Sequence, residues 1–111
     1  MNITFEKHHS VDIVRCAGAL VSSNAPSMGK QLQKLIRAGQ NKIIVDLSGV
    51  DFMDASGLSV LVRNCERVRR FGGDLLLLKL CPSIETLFSM TRLNGMFRIF
   101  DDESAAVNTL R

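Results

Sequence analysis

Apolar and polar residues follow two different periods along this chain, and the points where the period changes mark its elements. Ile3 to Lys7 alternates weakly, and after the polar stretch His8 to Ser10 the run Val11 to Ala17 alternates again, with Val11 and Ile13 against Asp12 and Val14 against Arg15. Alternation with period two predicts two short strands joined as a hairpin. Gly18 breaks the run. Ser22-Ser23-Asn24 then offers side-chain oxygens to cap a helix, Pro26 suits a first helical turn, and Met28, Leu32, Leu35 and Ile36 recur at helical spacing up to Gly39. Lys42 to Leu47, with Ile43-Ile44-Val45 at its centre, alternates too little for a sheet wetted on one face and predicts a central strand.

The second half repeats the strand and helix alternation. Leu58, Leu61, Val62, Cys65 and Val68 line one side of a predicted helix, while Arg63, Glu66, Arg67 and Arg70 line the other. Gly72-Gly73 ends it, because glycine accepts the left-handed conformation of helix C-terminal caps. Leu75 to Leu80 predicts another buried strand, interrupted only by Lys79, and Pro82 opens a short helix carrying Ile84, Leu87 and Phe88. Asn94-Gly95 turns the chain and Phe97 to Phe100 predicts a last strand. Asp101-Asp102-Glu103 places negative charge at the favourable end of a closing helix through Val107 and Leu110. The predicted order is β-β-α-β-α-β-α-β-α. It implies an α/β fold with a mostly parallel five-stranded sheet, an antiparallel first strand at or near an edge, and four helices.

Composition narrows the class. A chain of 111 residues, 46% of them hydrophobic, closes one core and is too short to divide into two, so residues 1–111 are expected to form a single domain, complete in itself. The net charge of +3 comes without a long basic run, and there is neither Trp nor Tyr to stack on bases, which argues against nucleic acid as partner. No stretch approaches the ~20 apolar residues that span a bilayer, and Met1 to His9 has no apolar leader core. Cys16, Cys65 and Cys81 are odd in number and far apart, which suggests buried thiols rather than disulfides or a zinc knuckle. A cytoplasmic location, without membrane insertion, is the expectation.

Enzyme signatures are mostly missing: there is no G-x-G-x-x-G, no P-loop, no H-E-x-x-H and no G-x-S-x-G. His8 and His9 are adjacent in the expected hairpin turn, where neighbours face opposite ways, and they read as a solvated pair. Asp46, Asp51 and Asp54 cluster near strand ends, and without histidines beside them they suit turn and capping roles better than a metal site; no cofactor is implied. Arg63, Arg67 and Arg70 share one helical face at i, i+4 and i+7. They form either a solvated face or part of a surface for an acidic partner.

The remaining candidate is Ser56. A serine that starts a helix is common, because its oxygen satisfies an unpaired backbone N–H. Here it belongs to a longer pattern, Asp46-Leu47-Ser48-Gly49-Val50-Asp51-Phe52-Met53-Asp54-Ala55-Ser56-Gly57-Leu58, that follows a buried strand and enters the long amphipathic helix. This pattern resembles the STAS domain, and within it the small bacterial anti-sigma factor antagonists, with their D-L-S-x-V turn and D-S-S-G-L helix start. The likeness covers nearly the whole chain, including the element order, the Gly72-Gly73 break and Leu93-Asn94-Gly95-Met96-Phe97 before the last strand.

The resemblance implies that the unmodified protein binds an anti-sigma factor that is also a serine kinase, frees the sigma factor, is switched off by phosphorylation at Ser56, and is reset by a phosphatase. ATP would belong to the kinase. Asp54, Ala55, Ser56 and Gly57 would meet the partner, together with Leu20, Val21 and Met53, and Asp54 and Gly57 would shape the turn. Two departures stand out: Ala55 replaces the first serine of D-S-S-G-L, and Gly18-Ala19-Leu20-Val21 replaces the family's acidic G-E-L-D turn, so that either partner recognition shifts toward Ser22, Ser23 and Asn24 or the domain is not handled by the usual kinase. A phosphate adds about −1.5 to −2 charges, which free N–H groups at a helix start tolerate within the chain while a partner surface does not. The competing readings are a STAS scaffold or subunit of a signalling or lipid-transport assembly without phosphorylation, and, more distantly, an enzyme with Ser56 as nucleophile.

Overall fold

Ile43 and Ile44 are neighbours in the chain yet enter two separate hydrophobic clusters, one on each side of a single sheet. That is why the run shows no alternation: a strand covered on both faces has no wet side to mark. The computed structural model describes all residues, Met1–Arg111. Its elements are β1 (Asn2–His8), β2 (Val11–Ala17), α1 (Ala25–Arg37), β3 (Lys42–Gly49), α2 (Ala55–Arg70), β4 (Asp74–Leu78), α3 (Pro82–Met90), β5 (Ile99–Phe100) and α4 (Glu103–Leu110), the predicted order.

The sheet runs β1-β2-β3-β4-β5, with β1 antiparallel to β2 at the edge and the other pairings parallel. Each parallel step moves one place in the same direction. With a common right-handed crossover, such steps put their helices on one face. The larger cluster bears this out: Met28, Leu32 and Ile36 of α1, Leu58, Leu61, Cys65 and Val68 of α2, and Ile84 and Phe88 of α3 all pack on Val14, Val45, Leu75 and Leu77. The other face holds only α4, whose Ala106 and Val107 cover Val11, Ile13, Ile44, Leu76 and Leu78.

Arg15 secures that second face. Its guanidinium grips Glu6 of β1 with two bonds of 2.9 Å, and its Nη1 donates to Asp46 of β3 at 2.9 Å and to Glu103 of α4 at 2.7 Å. One side chain thereby ties three strands to the closing helix. Asp46 is almost fully buried. Burial alone would raise its carboxyl, but the Ser48 amide and Arg15 together hold it below the usual carboxylate range.

Several boundaries depart from the sequence expectation. The last strand is not Phe97 to Phe100 but only Ile99–Phe100, because Phe97 turns inward and packs on Phe88 with ring centroids 5.6 Å apart. Strand β4 ends at Leu78 rather than Leu80, since Lys79 takes φ 57 and leaves the extended region. Asn94-Gly95 lies in a 3-10 turn, Leu93–Gly95. The break after α2 is doubly required: Gly72 has φ 79, and Gly73 lies against the Asn41 backbone with no room for a side chain. Cys16 and Cys65 are buried as expected, while Cys81 is half-exposed; burial, with Asp46 nearby, pushes the Cys16 thiol up to about 12. No helix is long and apolar enough to cross a membrane.

Candidate functional site

Strands β2 and β3 are parallel, so their carboxyl ends lie side by side and the loops that leave them travel together. A register shift between Arg15 and Ala17 lets the pairing continue past the strands. Gly18 donates its amide to the Gly49 carbonyl at 2.8 Å, Leu20 to Phe52 at 3.0 Å, and Asp54 returns one to Leu20 at 3.2 Å. Leu20 and Met53 form an isolated parallel bridge. The two segments singled out from sequence, Gly18 to Asn24 and Met53 to Gly57, are thus one structural unit.

Asp54 is its hinge pin. One carboxylate oxygen accepts the Ser56 amide at 2.9 Å and the Gly57 amide at 3.1 Å, capping α2, and the other accepts the Ser22 amide at 3.0 Å across the loops. Burial would raise this carboxyl, yet the Gly57, Ser22 and Ser56 amides outweigh it and hold it below the usual range. It is therefore ionised at neutral pH. The expectation that free N–H groups at the helix start would tolerate the charge of a phosphate on Ser56 is corrected in one respect: the Ser56 and Gly57 amides are not free but already belong to Asp54.

The expected cap of α1 is corrected too. Asn24 occupies the capping position but forms no side-chain cap. Its Oδ1 accepts the Val21 amide at 2.9 Å and its Nδ2 donates to the Ala19 carbonyl at 2.9 Å, so it staples the β2–α1 loop to itself. Neither Ser22 nor Ser23 donates a side-chain bond; both are exposed.

Ser56 sits half-buried in the first turn of α2, and its hydroxyl, unlike its amide, engages no other group of the chain. Ala55 before it is exposed, and Gly57 after it is buried where Leu20 leaves no space for a side chain. Leu20 and Met53, expected at the partner surface, are 0% and 4% exposed. They cannot touch a partner by their side chains; they hold the loops together from beneath. Val21 is half-buried at the rim.

An exposed apolar side chain that the sequence did not single out is Phe52, 58% exposed, beside the Leu20–Met53 bridge. The signal was local: Val50 and Met53 face inward, and the residue between Asp51 and Met53 in a turn is free to face out. Beyond Ser56 the seam between α1 and α2 opens into a hollow of ≈ 390 Å³ lined by Ala25, Pro26, Ala55, Ser56, Ser59, Val60 and Arg63. Of the three aspartates near the strand ends, Asp46 pairs with Arg15 and Asp54 caps α2; they face different elements and form no common cluster.

Comparison with known proteins agrees with this geometry. The family model for the STAS domain matches residues 2–106. The anti-sigma-B factor antagonist of Bacillus subtilis (strain 168) is 33% identical over 101 residues, covering 89% of this chain and 92% of that protein. The anti-sigma F factor antagonist of Paenibacillus polymyxa is 29% identical, covering 99% of this chain and 95% of that protein. Among solved structures, the Bacillus cell fate determinant SpoIIAA in its phosphorylated form superposes with a TM-score of 0.79 at 20% identity, covering 99% of this chain and all of that one, a likeness of fold.

Proposed function

Since the chain belongs to the STAS domain family and its relatives are anti-sigma factor antagonists, we propose that it is a phosphorylation-controlled antagonist of an anti-sigma factor. In the unmodified form the β2–α1 loop and the first turn of α2 dock on a kinase-type anti-sigma factor, which then releases its sigma factor. The kinase holds ATP; its γ-phosphoryl group passes to Ser56 Oγ, the bond to ADP breaks, and the hydroxyl proton leaves to the kinase. A phosphatase hydrolyses the ester and restores the hydroxyl.

The observation that supports this reading is the presentation of Ser56. Its hydroxyl has no competing partner in the chain, while its backbone is held by the Asp54 cap and by Gly57 packed against Leu20. A nucleophile held in place without being consumed by an internal bond is suited to in-line transfer. Once added, the phosphate lies two residues from the ionised Asp54, so like charges accumulate on the docking face and a partner that fitted a neutral hydroxyl is expelled.

The test uses the purified chain, a kinase-type anti-sigma factor of the same genome, and ATP. Mass spectrometry is expected to find one added phosphate on the wild type and none on Ser56→Ala. Ser56→Glu is expected to bind the anti-sigma factor more weakly while unfolding as cooperatively as wild type. An unmodified wild-type chain against every cognate kinase overturns the reading in favour of a STAS scaffold or subunit of a signalling or lipid-transport assembly. The uncharged Gly18-Ala19-Leu20-Val21 turn is the feature that favours that alternative.

A further inference from the structure

The hollow beside Ser56 does not end there. A second one of ≈ 220 Å³ continues it along the seam and shares Pro26, Val60 and Arg63 with the first. Gly29 of α1 lines this second hollow and faces Val60 of α2 closely: a methyl group added there would already touch the Val60 side chain at 3.6 Å. The added lining brings in Lys30 of α1 and Arg67 of α2, and no carboxylate lines either hollow. These cations are uncommitted. Lys30 and Arg63 have no hydrogen-bonding or ionic partner, and Arg67 has only Asn64 Oδ1 at 3.4 Å. Arginines with a job in the fold look different: Arg15 holds three carboxylates and Arg69 holds Asp74. From Ser56 to Arg67 the groove runs about 16 Å along the helix, at ~1.5 Å per residue.

We propose that this groove is the docking site for an acidic, extended segment of the protein partner, with Arg63 as the residue that both the partner's carboxylates and a phosphate on Ser56 compete for. It rests on the preceding reading only in identifying the partner as the protein that binds at Ser56. An extended strand of about five residues spans the distance, at ~3.3 Å each. The groove's apolar walls are Ala25, Pro26, Ala55 and Val60, aliphatic and without a ring to stack on a base, which disfavours single-stranded nucleic acid. A nucleotide would want the α2 amides that Asp54 occupies. The same groove supplies the positive side of a charge pair next to a Gly18-Ala19-Leu20-Val21 turn that carries no charge. Recognition is therefore basic on this chain and acidic on the partner. A phosphate on Ser56 enters the mouth of the groove, repels the acidic segment and draws off Arg63.

Two measurements test this. In the first, the 15N-labelled chain is titrated with a hexaglutamate peptide at low salt. Amide shifts are expected to map to the seam, at Lys30, Ser59, Arg63 and Arg67, and to vanish in high salt. The double variant Arg63→Ala, Arg67→Ala should weaken the peptide about fivefold, and Arg70→Ala, on the same helix but outside the groove, should not. Shifts spread evenly over all arginines, an equal loss in Arg70→Ala, or tighter binding of oligothymidylate than of the peptide each overturn the proposal. In the second, the cognate kinase-type anti-sigma factor replaces the peptide. No binding by the wild type sinks the functional reading and leaves the peptide result to decide the groove. Binding that the double variant leaves unchanged sinks the groove and leaves the functional reading standing.

Discussion

Gly57 and Leu20 approach so closely that a methyl group on Gly57 would lie 2.7 Å from the Leu20 carbonyl oxygen and 2.9 Å from its side chain. The first turn of α2 is seated directly on the loop that follows β2. That contact sets where Ser56, one residue earlier, faces.

Gly57→Ala therefore forces a backbone shift rather than a rotamer change. Overpacking of this kind costs about 1–3 kcal/mol. Urea unfolding is expected to show that loss with an unchanged m-value, and phosphorylation of Ser56 by a cognate kinase should slow by more than the folded fraction accounts for. Wild-type phosphorylation in a measurably destabilised variant would separate the seat from the switch.

Asp54 joins two loops by accepting three amides at once. In Asp54→Ala the Ser22, Ser56 and Gly57 amides lose their common acceptor, and hydrogen exchange should speed up at those three positions while β3 and β4 keep their protection. Restoration of only the Ser56 and Gly57 amides by Asp54→Ser is expected, because the shorter side chain caps the helix but does not reach the neighbouring loop.

Acid should weaken the fold in a defined window. Glu6 is lowered from an ordinary 4.5 to about 2, chiefly by Arg15 and then by His8. Asp46 and Asp54 also lie below their ordinary 3.8. Groups depressed in the folded state stabilise it fully above the unfolded values and lose that contribution as pH falls through the folded ones. The urea midpoint should be level between about pH 7 and 5 and decline from about pH 4.5 downward. Glu6 is exposed, so its share is small and shrinks further with salt. A midpoint that holds to about pH 3 would contradict the assignment.

Arg15→Met leaves Asp46 with its Ser48 amide but no counter-charge, at a side chain 7% exposed. Loss of one partner of a fully buried pair costs roughly 3–5 kcal/mol. Arg15 itself is 28% exposed, so about 2 kcal/mol is expected from chemical unfolding. Adding Asp46→Asn should recover part of it by removing the stranded charge. Because Glu103 also loses its partner, α4 amides should exchange faster in the single variant.

Much of this protein could be read along the chain. The strand and helix order, the two-faced strands behind Ile43-Ile44-Val45 and Leu75 to Leu78, and the placement of Ser56 at the start of α2 all appear as local periods and turn residues. Such signals are local because the backbone geometry that makes them repeats every two or 3.6 residues. The resemblance to the STAS family likewise rests on a contiguous motif, and the family match over residues 2–106 agrees with it.

What the chain order could not supply is which distant residues share a surface. Leu20 and Met53 look like candidates for a docking patch until the loops pair and bury them. Phe97 belongs to a strand by its neighbours and to the core by its contact with Phe88. Lys30 enters the groove of Arg63 and Arg67 only because α1 lies beside α2, while Arg70, their sequence companion, is left out. Sequence by itself determined the elements and the position of Ser56, because local periodicity encodes both. The tertiary structure alone decided what surrounds that serine, because burial, the Asp54 cap across two loops and the charge of the groove arise only when segments far apart in sequence pack together.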